Sequence, residues 1–273
     1  MREVVVFSGS AHQTLAHRIC DELGVGLSQT LISRFSNDCL QAQLLANCRQ
    51  RDVYLVQPLV PPTQDSLMEL LLMIDAARGA SAAKITAVIP HFAYARSDKK
   101  DASRISLGGR LVADLISTAG ADRVLTMNLH APQVHGFFSV PVDHLTALGV
   151  LADHFREQDL DDEIATGGSI VELLVRLADH GVTEAAVACT HGLFAGRAVD
   201  RLRSHPMVSE VVTTDTVPAP IGWPELKVRS VAGLFAEAIK RIHEGESVSS
   251  LFDGVDPTHA PPRQSSLFDR VRS

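Results

Sequence analysis

Apolar positions in the first half of the chain follow two spacings. Short contiguous runs at residues 4–7, 53–57, 84–90 and 123–127 are rich in Val, Ile and Leu and read as buried strands. Longer segments with helical spacing lie between them. In residues 11–23, Leu15, Ile19 and Leu23 recur at i, i+4 and i+8, and Gly24 supplies a stop. Residues 66–78 are apolar enough for a buried helix ended by Gly79, and residues 106–118 predict another helix. Strand and helix in alternation predict an α/β fold, a mostly parallel sheet with helices on both faces. Ligands of such sheets bind beyond the carboxyl ends of the strands. The loops at 91–101 and 128–138 occupy those ends.

The second half is less regular. Residues 146–156 predict a helix, and the charged stretch 157–162 runs directly into Glu163-Ile164-Ala165-Thr166-Gly167-Gly168-Ser169. Residues 170–180 form an amphipathic pattern with Ile170, Leu173, Leu174 and Leu177 on one face, closed by Gly181. Residues 184–190 and 210–214 read as strands and 231–242 as a helix. The end, 257–273, is rich in Pro, Ser and Arg and reads as a mobile tail. No internal repeat is present.

Composition narrows the class. The 273 residues are 45% hydrophobic and 21% charged, which excludes long disorder, collagen and coiled coil. The net charge of −7 argues against a broad nucleic-acid surface, while leaving room for a local cationic site. No apolar run reaches the roughly 20 residues of a membrane span; the stretch 67–77 is interrupted by Glu69 and Asp75. The N-terminal apolar run is too short for a signal peptide. Cys20, Cys39, Cys48 and Cys189 have no metal-finger spacing, and reduced thiols in a cytoplasmic protein are the expectation.

The segment 161–169 carries the most chemical information. Gly167 and Gly168 let several backbone N–H groups converge, Thr166 and Ser169 add hydroxyls, and a helix N-terminus follows, an arrangement suited to phosphate. Asp161 and Asp162 beside it suit sugar hydroxyls or a hydrated Mg²⁺. The same composition also suits an acidic helix cap with glycines in a turn.

This segment resembles the pyrophosphate-loop signature of phosphoribosyl-diphosphate-binding proteins. Further motifs narrow the resemblance to the ribose-phosphate diphosphokinase family. They are Arg34-Phe35-Ser36, Leu67-Met68-Glu69-Leu70, the run from Ala87 to Lys100, the run from Leu129 to Phe138 with Pro141-Val142-Asp143, Ala188-Cys189-Thr190-His191-Gly192, and Ser247-Val248-Ser249-Ser250-Leu251-Phe252. They span nearly the whole chain in collinear order. The resemblance implies two phosphoribosyltransferase-like domains, 1–145 on the nucleotide side and 146–256 carrying the ribose-phosphate loop. It implies transfer of the β,γ-diphosphoryl group of ATP to the 1-hydroxyl of ribose 5-phosphate, with Mg²⁺, in a homo-oligomer (dimer or hexamer) with the nucleotide site between subunits. On this resemblance Phe35, Asn37, Arg96, Ser97, Asp98 and Lys99 bind ATP. His130 and Arg96 are catalytic, with His130 also at the metal. Asp161 and Asp162 bind the ribose hydroxyls, and Ala165, Thr166, Gly167, Gly168 and Ser169 the 5-phosphate.

The chain departs from the family in three places. Asn37-Asp38-Cys39 stands where the family commonly has Asp-Gly-Glu, and Asn128 where it commonly has Asp. The third is larger: a phosphate loop should follow a buried strand, yet residues 154–160, His-Phe-Arg-Glu-Gln-Asp-Leu, cannot make one. A βαβ-sized block, about 30 residues or more, is expected before Asp161. In the family it carries a metal and substrate element and a catalytic Lys/Arg loop. A longer natural chain, a deletion that abolishes activity, or retained binding on a rebuilt sheet would each account for this. A Cα separation between Leu160 and Asp161 well beyond the bonded 3.8 Å would favour the first. The chief alternative to the enzyme is an inactive homologue that regulates an active synthetase. A nucleobase phosphoribosyltransferase would leave the nucleotide half without a purpose.

Overall fold

The computed structural model describes residues 2–154, 161–164 and 168–252. Its first half runs β1 (Val4–Ser8), α1 (Gln13–Leu23), β2 (Leu27–Ser28), β3 (Thr30–Arg34), β4 (Leu40–Leu44), β5 (Asp52–Val56), α2 (Thr63–Gly79), β6 (Lys84–Ile89), α3 (Gly108–Ala119), β7 (Arg123–Met127) and β8 (Val142–Leu145). Six of these strands form one parallel sheet, ordered β2-β1-β5-β6-β7-β8. Its inner strands are buried on both faces, which is why they read as unbroken apolar runs. Helices α2 and α3 cover one face through Leu70, Met73, Ile74, Val112 and Ile116. On the other face α1 packs Leu15 and Ile19 against Val6, Tyr54 and Leu125. Gly24 ends α1 in the left-handed region at φ 68°, where an L side chain is disfavoured. The antiparallel hairpin β3–β4 pairs Thr30 with Leu44 and Arg34 with Leu40, and rests on α2 through Ala42 and Leu44.

The second half runs α4 (Leu148–Ala152), β9 (Asp161–Ile164), α5 (Gly168–Asp179), β10 (Ala185–Gly192), α6 (Ala198–Arg203), β11 (Val208–Thr214), β12 (Lys227–Arg229) and α7 (Ala232–Glu244). Its four strands form a second parallel sheet, β12-β11-β10-β9. Helices α5 and α6 cover one face with Ile170, Leu174, Ala198 and Leu202 around Val187, Val211 and Trp223. Leu151 of α4 covers Ala188 and Val212 on the other. The parallel α/β architecture is therefore as expected from the sequence.

Several local expectations are corrected. Within 161–169, Asp161–Ile164 is an edge strand rather than loop, in register with β10 as Cys189↔Asp161 and His191↔Glu163. Pairing to a buried neighbour overrides the low strand propensity of three consecutive carboxylates. Leu173 of α5 is exposed while Ile170 and Leu174 are buried. The helix expected over 146–156 is present at Leu148–Ala152, and residues 155–156 lie outside the described residues. Helix α7, numbered within the second half, returns to the first sheet. Phe235 and Ile239 join the α1 face, and the Tyr54 hydroxyl donates to Ile239 O at 3.3 Å. The apolar stripe of α7 fills the face that α1 alone leaves open. Residues 165–167, the tail 257–273 and Leu160 lie outside the described residues, and the Leu160–Asp161 separation with them. All four cysteines are free, and Cys39 is exposed.

Candidate functional site

The carboxyl ends of β1 and β5 are tied by one buried carboxylate. Glu69 of α2 accepts from Ser10 N (2.8 Å), Ser10 Oγ (2.7 Å) and the Gln57 side-chain amide (2.9 Å). Gly9 is required here, since a Cβ would lie 2.4 Å from Gln57 Oε1. A cleft of about 450 Å³ opens beside this network, lined by Arg34, Pro61, Asp65, Glu69 and Pro218 among others. Arg34 is held by Asp38 (2.7 Å) and Asp65 (2.6 Å), so it braces the hairpin tip against α2. Phe35 and Asn37 stand on that tip, and Phe35 is 55% exposed.

The next two strand ends carry the Arg96 and His130 loops. After β6 the chain passes through His91 and Phe92 into a short 3-10 turn, Ala93–Arg96, with Arg96 and Lys99 exposed. Ser97 Oγ accepts the Gly108 N–H at 2.9 Å at the start of α3, so its hydroxyl builds the loop. Asp98 Oδ2 accepts from Gln133 Nε2 at 2.6 Å and joins the two loops. After β7, Asn128 adopts φ 40°. Its Oδ1 accepts the Ala147 N–H at 2.7 Å, a bond that Asp would make equally, so the loss of charge leaves this geometry intact. Exposed His130 follows, and a narrow crevice between the loops is lined by His91, Ala95, Asn128, His130 and His191. The structure thus brings Arg96, Ser97, Asp98 and His130 to adjacent strand ends. Phe35 and Asn37 do not line this crevice.

The ribose-phosphate candidates belong to the second sheet. Asp161 and Asp162 sit on β9, beside the carboxyl-terminal part of β10. Residues Ala165, Thr166 and Gly167 lie outside the described residues, and Gly168 and Ser169 open α5. A strand, a short connection and a helix start is the backbone arrangement that presents N–H groups to an anion.

Besides α7, contacts through Asp215 and His191 join the halves near these strand ends. Asp215, after β11, accepts from Arg18 (2.9 Å), Ser230 Oγ (2.7 Å) and Val231 N (2.8 Å), while its carbonyl meets His12 Nε2 at 3.0 Å. Burial lowers the His12 pKa, against the opposing Asp215 charge. His191, at the end of β10, meets the backbone of Met127 and Asn128 at 3.1 and 3.2 Å. His191 falls within the motif 188–192 singled out in the sequence, though with no role attached, while His12 is marked only by its position just beyond a strand end.

Among the described residues no three His, Cys, Asp or Glu side chains converge as a metal cage. Mg²⁺ does not need such a cage, since it keeps several waters and takes one or two protein ligands beside substrate phosphates. One exposed imidazole beside exposed cations suits a cation that arrives already held by phosphate oxygens and water.

Comparison with known proteins agrees with this layout. The profile described as the N-terminal domain of ribose phosphate pyrophosphokinase matches residues 4–120, and that of the phosphoribosyl synthetase-associated domain matches 145–253. A Streptomyces coelicolor relative is 52% identical, covering 93% of this chain and 98% of its own. The ribose-phosphate pyrophosphokinase of Deinococcus radiodurans is 41% identical, covering 91% and 98%. The crystal structure of phosphoribosylpyrophosphate synthetase from Mycobacterium smegmatis superposes with a TM-score of 0.84 at 31% identity, covering 89% of this chain and 100% of that one. The Streptomyces alignment runs over 312 positions, whereas 93% of 273 residues is about 254. About 58 positions of the alignment therefore have no residue of this chain, enough for a βαβ block.

Proposed function

Because the chain belongs to the ribose-phosphate pyrophosphokinase family of enzymes, we propose that it transfers diphosphate from Mg·ATP to ribose 5-phosphate, in the cytoplasm, for nucleotide biosynthesis. The 1-hydroxyl oxygen bonds to the β-phosphorus and gives its proton to water, the bond from that phosphorus to the α,β-bridging oxygen breaks, and AMP leaves. Such a transfer depends on alignment and on neutralising phosphate charge. Arg96 and Lys99 supply cations on the ATP side, and His130 stands at the adjacent strand end as the contact to the metal-bound phosphates. Asp161 and Asp162 accept from the ribose hydroxyls, and 165–169 receive the 5-phosphate. One observation carries this reading: the ends of β7 and β10 meet at His191, which brings the strand leading to His130 next to the strand that pairs with β9. The exposed Phe35 supports a homo-oligomer, dimer or hexamer, in which a second copy completes the adenine pocket.

The test is AMP release by the folded full chain from ATP, Mg²⁺ and ribose 5-phosphate. Background AMP together with tight phosphoribosyl-diphosphate binding overturns the catalytic reading. It favours instead an inactive subunit that regulates an active synthetase by co-assembly. The alignment positions without a counterpart, with Asn37, Cys39 and Asn128, are what motivate that second reading.

A further inference from the structure

The turn 128–130 is held by two histidines of opposite hydrogen-bond polarity. From the edge strand β8, His144 places Nε2 2.9 Å from the Leu129 N–H. A backbone amide only donates, so this nitrogen offers a lone pair and the ring proton sits on Nδ1. From the second sheet, His191 places Nε2 3.1 Å from Met127 O and 3.2 Å from Asn128 O. Carbonyls only accept, so this nitrogen carries a proton. His191 is 3% exposed, its Nδ1 lies 2.8 Å from Thr216 Oγ1, and His91 packs edge-on with ring centroids 4.9 Å apart. The turn needs such support, because a left-handed Asn128 stores about 1 kcal/mol or more of strain.

We propose that His144 and His191 are positioning residues that clamp the backbone of residues 127–129 through bonds of opposite polarity and so fix where His130 stands toward Mg·ATP. This rests on the reading of His130 given above. An acceptor is required at 144 and a donor at 191. Glutamine can supply either at the place of Nε2, and leucine supplies neither.

The experiment uses the full chain with His144→Leu, His144→Gln, His191→Leu, His191→Gln and His130→Ala. It measures Leu129 amide hydrogen exchange by NMR, and Mg·ATP and ribose 5-phosphate affinities by calorimetry. His144→Leu should speed Leu129 exchange about 10-fold or more, and both leucine variants should weaken Mg·ATP about 3–10-fold, the factor one hydrogen bond is worth. Ribose 5-phosphate affinity should hold, and the glutamine variants should restore exchange and affinity. Unchanged Leu129 exchange in His144→Leu overturns the clamp. So do glutamine variants that fall with the leucine variants, or equal losses for both ligands. If His130→Ala leaves Mg·ATP affinity unchanged, the assignment of His130 fails and with it the purpose of the clamp, while Leu129 exchange still reports whether the bond exists.

Discussion

Glu69 separates a carboxylate that organises the site from one that merely fills space. It is 5% exposed and accepts three donors, two from Ser10 and one from Gln57. Glu69→Leu removes all three acceptors. Ser10 is exposed and can turn its amide and hydroxyl to water, losing about 1 kcal/mol. Gln57 is 0% exposed; one N–H keeps Ser66 O at 3.2 Å, and the other is stranded at about 1–3 kcal/mol. The expected loss is about 2–4 kcal/mol. Glu69→Gln is different, because its amide oxygen can occupy the Oε2 position. Its new NH₂ then faces Ser10 Oγ, a hydroxyl that can also accept. Only charge assistance is lost, about 1 kcal/mol. Urea unfolding at constant slope measures both variants. A leucine variant within 1 kcal/mol of wild type, or equal losses for leucine and glutamine, would refute the donor accounting.

Three further outcomes are expected. Asp162→Asn should weaken ribose 5-phosphate use more than ATP binding in steady-state kinetics; equal losses would count against its ribose role. Phe235→Ala, fully buried between α7 and the first sheet, should cost about 3–5 kcal/mol in denaturant unfolding, and a loss under 1 kcal/mol would deny that α7 belongs to that core. For His12, burial lowers the folded pKa below the ordinary 6.5, so the unfolded chain binds more protons below that pH. This contribution is intact above about 6.5 and is lost as pH falls through the lowered folded value. His12→Gln keeps a donor for Asp215 O without titrating; unfolding curves from pH 8 to pH 5 should be flatter for the variant, and parallel curves would exclude the effect.

What could be read from the chain divides along burial. The strands β1, β5, β6 and β7 lie inside the sheet, so their apolar runs name them directly. The hairpin β3–β4 has one face open, and its strict alternation at Leu40-Gln41-Ala42-Gln43-Leu44 was readable by period but is too short to stand out. β9 could not be read at all: three carboxylates have no strand preference, and only the register with β10 makes them one. The site divides differently. Arg96 and His130 follow strands visible in the sequence, so their placement at the carboxyl ends follows from the α/β pattern.

The hydrogen-bonding roles of His144 and His191 follow from no local pattern. Each acts through a bond to residues 15 and 63–64 positions away. Their hydrogen-bond polarities are set by which backbone atom the fold places opposite them. A sequence shows two histidines of one type, and the structure divides them into one acceptor and one donor. That division accounts for how the single strained residue between them, Asn128, is kept at the carboxyl end of β7.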